Sequence, residues 1–170
     1  MPARPTPSSG RIIDSPVGPL LLQASADGLT RCLFVEASGA DVEAPPAPVD
    51  RAEIAVLDQA EAELGEYFAG DRTGFDVPLE LRGTPFQLDV WAQLRAIPHG
   101  ATASYGDLAR NLGNPQASRA VGMANNKNPV AIIVPCHRVV GADGSLTGYA
   151  GGLDRKRLLL DLEAGIGALL

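Results

Sequence analysis

The chain has 170 residues, 45% of them apolar and 20% charged, enough to bury a core without covalent staples as one sizeable domain or two small ones. Two cysteines and two histidines are too few for a disulfide framework or for a Cys/His zinc site, so a reduced, cytoplasmic setting without metal or other cofactor is expected. The net charge of −6 argues against a basic nucleic-acid coat, but the acid is all in front: residues 1–84 carry 6 Lys and Arg against 14 Asp and Glu, a balance of −8, while residues 85–170 carry 8 against 6, a balance of +2. A mildly basic second half keeps DNA or RNA open as a partner. Residues 1–10 are rich in Pro and Ser without an apolar run, which fits neither a signal peptide nor an anchor, and no stretch reaches transmembrane length.

From Arg11 to Phe34, the turn signals Ser15-Pro16-Val17-Gly18 and Ala26-Asp27-Gly28 separate apolar runs at Leu20–Ala24 and Leu29–Val35, the pattern of a small antiparallel sheet. Residues 39–48, with Ala44-Pro45-Pro46-Ala47-Pro48, can continue no regular element and read as a loop. Asp50 followed by Glu53 starts a helix whose Ile54, Leu57, Leu64 and Phe68 keep one face as far as Gly70. Phe75, Val77 and Leu79 alternate with polar or small residues and predict a further strand. An α+β domain therefore fills about residues 1–80; it carries no catalytic constellation, and Cys32, among Leu29, Leu33 and Phe34, reads as a core thiol.

Residues 81–170 form the second domain. Thr84-Pro85-Phe86-Gln87 combines a capping box with proline at the first helical position, and Phe86, Val90, Leu94 and Ile97 repeat at helical spacing until Pro98; Trp91, beside that stripe, reads as core. Ser104 and Asp107 start another helix, with Tyr105, Leu108, Ala109 and Leu112 on one face. Gly113-Asn114-Pro115 breaks it, and Gln116–Asn125 restarts, the outline of a helix-turn-helix. The second of these helices is smooth, with Ala117, Ala120, Gly122 and Ala124, and Arg119 is its only charged side chain. Such a surface suits close, nearly sequence-independent approach to a groove with one inserted arginine, or the packing of two ordinary core helices.

Ile132-Ile133-Val134-Pro135-Cys136-His137-Arg138 predicts a short buried strand that stops at the proline and presents Cys136 beside an imidazole and a guanidinium. Those neighbours can convert a thiol to a thiolate nucleophile; the competing reading is a small buried hydrophobe. Glycine-rich loops follow at residues 141–144 and 147–152, and a last helix runs from about Leu153 to Glu163. It opens with Arg155-Lys156-Arg157, the wrong sign for a helix N-terminus, which hints at phosphate contact or merely at a solvated face. Glu163 falls on the apolar side, where it either frays into water or orients a buried polar group, and His137 would complete a Cys-His-Glu order of nucleophile, base and orienter.

Ser118-Arg119-Ala120-Val121-Gly122, Asn128-Pro129, Pro135-Cys136-His137-Arg138-Val139-Val140 and Gly148-Tyr149-Ala150-Gly151-Gly152 together resemble the O6-alkylguanine-DNA alkyltransferases, or methylated-DNA–protein-cysteine methyltransferases, over about residues 84–163. The resemblance implies an RNase H-like first domain and a mainly helical, winged-helix-like second one. It also implies irreversible transfer of an alkyl group from O6-alkylguanine, less securely from O4-alkylthymine, in a flipped-out base to the protein's own cysteine. On it, Cys136 is the acceptor, His137 the base acting through a water, Glu163 its orienter and Asn128 the residue holding the preceding turn. Tyr105 is a donor to the leaving purine, Arg119 fills the gap in the duplex, Tyr149 walls the pocket, and backbone at Cys136, Val139 and Ala150 reads the base. Its partner is double-stranded DNA bearing alkylated bases, met from the minor-groove side by a monomer, with cooperative loading as an option and no membrane. Two departures stand: Ala150 occupies a position where some relatives have serine, and the zinc ligands that others carry in the first domain are missing, since only Cys32 and no His precedes Thr84. A cysteine hydrolase using Cys136 and His137, and a helix-turn-helix module with an inert thiol, are the alternative functions.

Overall fold

The computed structural model describes residues 9–36 and 45–166; the first eight residues of the Pro-rich start and residues 39–44 of the expected loop lie outside them. β1 (Ser9–Ile13), β2 (Leu20–Ala24) and β3 (Leu29–Phe34) form the expected antiparallel sheet in the order β1-β2-β3, with Ile13 opposite Leu20 and Leu22 opposite Cys32. Its turns are fixed by serines: Ser15 Oγ accepts from Val17 N–H and donates to the Gly18 carbonyl, and Ser25 Oγ accepts from Asp27 N–H. α1 (Arg51–Phe68) packs across the sheet through Val56, Leu57, Ala60, Leu64 and Phe68. Asp50 caps it by accepting from Ala52 N–H at 2.7 Å, whereas Glu53 accepts from Ser9 Oγ and ties the helix to β1.

The strand expected at residues 75–79 does not form. Leu79 makes a single bridge, with Leu29, through Leu29 N–H to the Pro78 carbonyl (2.8 Å) and Glu80 N–H to the Leu29 carbonyl (3.0 Å). Its donors are otherwise spent or missing: Asp76 and Val77 N–H both donate to the buried Glu63 carboxylate of α1 at 3.0 Å, and Pro78 has none. Gly28 is required here, because a Cβ would stand 2.8 Å from backbone atoms of Pro78 and Leu79.

In the second half, α2 (Pro85–Arg95) and α3 (Tyr105–Asn111) carry reciprocal capping boxes, Thr84 with Gln87 and Ser104 with Asp107. α4 (Ser118–Asn126) packs on both, and Trp91 of α2 is buried, donating from Nε1 to the Ala124 carbonyl at 2.9 Å. The helix-turn-helix is thus fixed to the core by an indole. A two-stranded parallel ribbon joins β4 (Ala103–Ser104) to β5 (Val139–Val140), a single 3-10 turn spans Cys136–Arg138, and α5 (Leu153–Glu163) closes the chain. The protein is α+β, with a sheet-plus-helix first part and a mainly helical second part. One buried cluster runs through both, and no described helix is long and apolar enough to cross a membrane.

Candidate active site

The apolar run before Cys136 is a tight reversal, not the expected strand. Val130 bridges Cys32 of β3, with Cys32 N–H on the Pro129 carbonyl and Ala131 N–H on the Cys32 carbonyl, both at 2.9 Å. The chain then folds back, Val134 N–H meeting the Val130 carbonyl at 3.0 Å, with Ile132 in the left-handed region at φ 72°. A β-branched residue resists that conformation, so something must hold it. Asn128 does: its Nδ2 donates to the Val134 carbonyl (2.8 Å) and its Oδ1 accepts from Val130 N–H (3.0 Å), clamping both ends of the turn. Every residue from Val130 to Val140 is buried. The β-forming side chains serve the core, and a short apolar run cannot by itself distinguish that from a ladder.

Cys136 leaves this reversal on the 3-10 turn, its N–H committed to the Val134 carbonyl at 2.8 Å. His137 turns the other way, into the interior, where Nε2 meets both carboxylate oxygens of Glu163 at 2.8 and 3.0 Å. A carboxylate only accepts, so Nε2 carries the ring proton and Nδ1, buried and without a hydrogen-bond partner, keeps its lone pair. Glu163 also receives Arg138 Nε at 2.7 Å and Nη2 at 2.6 Å, while Arg138 Nη1 donates to the Ile97 carbonyl. The guanidinium therefore orders Glu163 and is not the sulfur's counter-charge that adjacency in sequence suggested. Burial alone would raise the Glu163 carboxyl, but hydrogen bonds from His137 and Arg138 hold it down at about 2. Burial lowers the His137 pKa, against the pull of Glu163, so the imidazole rests neutral. Tyr67 of α1 brings a buried hydroxyl near this carboxylate, and burial followed by the negative charge of Glu163 raises its pKa.

Cys136 opens onto a cavity of about 120 Å³ lined by Leu33, Phe34, Asn125, Asn128, Tyr149 and Ala150 among others. Two larger depressions, about 540 and 280 Å³, are not lined by it. Burial pushes the thiol up; the Asn128 side chain, the Lys156 ammonium and the Tyr149 hydroxyl push it back down. Tyr149 stands edge-on to Phe34, centroids 5.9 Å apart, and both rings press on Gly151, where a Cβ would come within 2.9 Å of each. Lys156 is fully buried, donates from Nζ to the Thr147 carbonyl at 3.0 Å and lies 5.9 Å from the Tyr149 ring centre. Arg155 binds the Val17 and Gly151 carbonyls and Glu36, and covers the Phe34 ring. Both are committed to protein acceptors, so neither is merely a solvated charge, although Arg157 is exposed.

The remaining expected residues are spread around this centre. Ala150 and Tyr149 line the cavity with Asn128, but Tyr105, Val139 and Arg119 do not. The half-buried Tyr105 receives Thr147 Oγ1 on its hydroxyl at 2.9 Å and lies against Gly122 of α4. Val139 is buried in the ribbon opposite Ala103, its N–H on the Cys136 carbonyl. Arg119 is exposed on α4, with no hydrogen bond or ion pair among the described residues. Sequence reading missed Lys156, whose inward course only the packing of α5 decides, and the β3 residues Leu33 and Phe34, which carry no chemical signal. Among the described residues, no group of three or more His, Cys, Asp or Glu side chains gathers to hold a metal ion.

Two family models match the chain: "6-O-methylguanine DNA methyltransferase, ribonuclease-like domain" over residues 11–81, and "6-O-methylguanine DNA methyltransferase, DNA binding domain" over residues 85–165. Methylated-DNA–protein-cysteine methyltransferase of Methanosarcina acetivorans is 51% identical over 152 residues, covering 89% of this chain and 96% of that protein. The protein of the same name from Mycobacterium bovis is 52% identical over 153 residues, 90% of each. In structure, Mycobacterium tuberculosis OGT in complex with DNA superposes with a TM-score of 0.82 at 49% identity, covering 93% of this chain and 94% of that one.

Two outcomes test the geometry. Asn128→Ala leaves the Val130 N–H of a strained turn unpaired and removes one of the two donors on the Val134 carbonyl, and is expected to lower unfolding free energy by about 1–3 kcal/mol in urea titrations; a change within about 0.5 kcal/mol would show that the clamp holds nothing. Glu163 has a folded pKa near 2, below its ordinary 4.5, so its stabilisation is complete above about pH 4.5 and is lost as the pH falls toward 2. Glu163→Gln is therefore expected to be less stable than wild type by about 3–5 kcal/mol at pH 7, with the gap closing through that window; a gap that stays constant with pH would contradict the assignment.

Proposed function

The chain belongs to the 6-O-methylguanine DNA methyltransferase family, and from that premise we propose that it repairs DNA by moving the alkyl group of O6-alkylguanine onto Cys136, once per molecule. The observation that carries this reading is the free thiol of Cys136 opening on a small cavity, with a neutral imidazole on the next residue oriented by a buried carboxylate. The cavity has room for about four waters, hence for an alkyl group and the leading edge of a purine. Only a base swung out of the duplex can present its O6 substituent there, and an alkylated pair, already weakened, is the least expensive to open.

In the reaction, the thiol proton passes to Nδ1 of His137 through a water, and Glu163 stabilises the imidazolium that results. The S–C bond forms as the C–O6 bond breaks. The electron pair leaves on the purine, which takes up one proton and departs as unmodified guanine, leaving S-alkylcysteine. Nothing at the site can cleave a thioether, so the event is single. Tyr105, backed by Thr147, donates to the purine as negative charge develops, and the Ala150 N–H serves O6. The Cys136 and Val139 carbonyls take the exocyclic amine, Tyr149 walls the base, and Asn128 keeps the sulfur in place. Arg119, free on the smooth outer face of α4, enters the stack from the minor-groove side. We place O4-alkylthymine second to O6-alkylguanine as a substrate, and the protein acts as a monomer in the cytoplasm.

A cysteine hydrolase is disfavoured by a single bond: the nucleophile's own N–H, a natural oxyanion donor, is committed to the Val134 carbonyl. An inert-thiol DNA-binding module gives no reason for a buried His-Glu pair beside the sulfur.

Incubation with a duplex containing one O6-methylguanine is expected to add one methyl to the intact protein, mapped by peptide mass to Cys136 and absent in Cys136→Ala. Loss of the lesion with no change in protein mass would overturn the mechanism. Arg119→Ala is expected to slow transfer from duplex DNA by roughly tenfold or more while sparing transfer from the free modified base. Equal slowing on both would remove the insertion role.

A further inference from the structure

The outward face of α4 carries one large apolar side chain. Val121, Ala124 and Asn125 turn to the core, while Arg119, Ala120, Met123, Asn126 and the C-cap Lys127 are exposed, Met123 to 69%. At about 100° per residue, Met123 lies one turn from Arg119 and one turn from Lys127, within about 40° of each around the helix. The side chains of both cations are without hydrogen bond or ion pair among the described residues, and α4 holds no acid. In a chain of net charge −6, a stripe of this sign is complementary to a polyanion. An exposed methionine by itself needs no explanation. Its place midway along this stripe does.

We propose that Met123 is a wedge, which enters the minor groove beside Arg119 and pushes apart the base step next to the nucleotide being everted; this rests on the transfer reaction and the α4 contact proposed above. The other outward residues between the two cations include Ala120, and the half-buried Gly122 flanks Met123, so the backbone of α4 can come close to a groove. A long thioether on such a surface either holds the duplex off or goes into it. Arg119 and Lys127, on either side, draw the phosphates in, so it goes in. An unbranched chain without hydrogen-bonding hydrogens adapts to the gap and loses no solvation on entering it. Apolar side chains inserted in this way partly unstack a step and kink the duplex toward the major groove.

Its position along the helix gives the wedge a use. Arg119, Met123 and Asn126 follow one another over about 10 Å at about 1.5 Å per residue, and Asn126 lines the cavity in front of Cys136. A nucleotide that gives up its place to Arg119 and travels to the cavity therefore passes Met123. Loosening the stack there lowers the cost of eversion, on top of the weakening that the alkylated pair already carries. The contact is with sugar edges and base faces and reads no sequence. It can act only where there is a stack to open.

That restriction supplies the test. Single-turnover methyl transfer is followed by intact-protein mass for wild type, Met123→Ala and Met123→Leu, on a duplex holding one O6-methylguanine and on the lesion strand alone. Met123→Ala is expected to be slower than wild type by roughly fivefold or more on the duplex and to stay within about twofold on the single strand. Met123→Leu, which keeps the apolar bulk, is expected to stay within about twofold on both. A 2-aminopurine placed beside the lesion in the duplex should brighten when wild type or Met123→Leu binds and stay dim with Met123→Ala. A smaller loss on the duplex, an equal loss on both substrates, no recovery with leucine, or the same brightening with all three proteins would overturn the wedge. If wild type leaves Cys136 unmethylated on both substrates, the reaction itself fails; if transfer proceeds and Met123→Ala matches wild type, only the wedge does.

Discussion

One buried carboxylate organises the reactive end of the molecule. Glu163, at the last position of α5, accepts from His137 and Arg138, two consecutive residues of the 3-10 turn that begins at Cys136. Burial penalises its charge, and hydrogen bonds from the two donors hold it ionised. The dependence is mutual: without the carboxylate, Arg138 becomes a buried cation and the His137 ring loses the bond that fixes which nitrogen bears the proton. A helix terminus and a loop separated by 25 residues are thus locked in register by the pair that sets the chemistry.

The first half of the chain supplies none of the side chains proposed to react, but it completes the cavity. Leu33 and Phe34 of β3 form one wall of the cavity, and Cys32, the residue before them, bridges Val130 at the base of the reversal that carries Cys136. Arg155 of α5 reaches across to the Val17 carbonyl and to Glu36 while holding the Gly151 carbonyl beside the Phe34–Tyr149 pair. The wall, the floor and the glycine loop all answer to the small sheet. The acidic first half accordingly supplies a mould, while Cys136, His137 and Glu163 sit on the mildly basic second half.

How far sequence reading reached depended on the range of the interactions involved. Both capping boxes, the antiparallel sheet and the helix-turn-helix were legible because each is encoded within a few residues, as in Thr84 with Gln87 or Ser104 with Asp107. The position of Glu163 on the apolar side of α5 was enough to pair it with His137. The failures are all long-range. Residues 75–79 have the alternation of a strand, but Glu63, on a different element, takes their donors. Residues 132–134 have the composition of a strand, but the Asn128 clamp bends them back. Lys156 reads as a surface charge until the packing of α5 turns it inward toward Tyr149 and the sulfur. No local pattern separates these outcomes, because a buried run, a buried cation and a diverted donor each depend on what lies across the core.

The buried side-chain atoms left without partners point to the site independently of any motif. Of the five such residues among the described ones, Thr30, Tyr67, Asn125, His137 and Tyr149, all but Thr30 surround Cys136 or the Glu163 cluster behind it. Native interiors rarely tolerate such atoms, and selection for stability alone would have replaced or paired them. Concentrated here, they place a proton acceptor at His137 next to Cys136 and put amide and hydroxyl groups of Asn125 and Tyr149 in the wall of the cavity. The thiol fits the same pattern: burial raises its pKa, so it stays protonated and inert until a substrate and the imidazole act together. Reactivity withheld in this way suits the single transfer proposed for Cys136, because a permanently ionised sulfur would be consumed by any passing electrophile before reaching a damaged base.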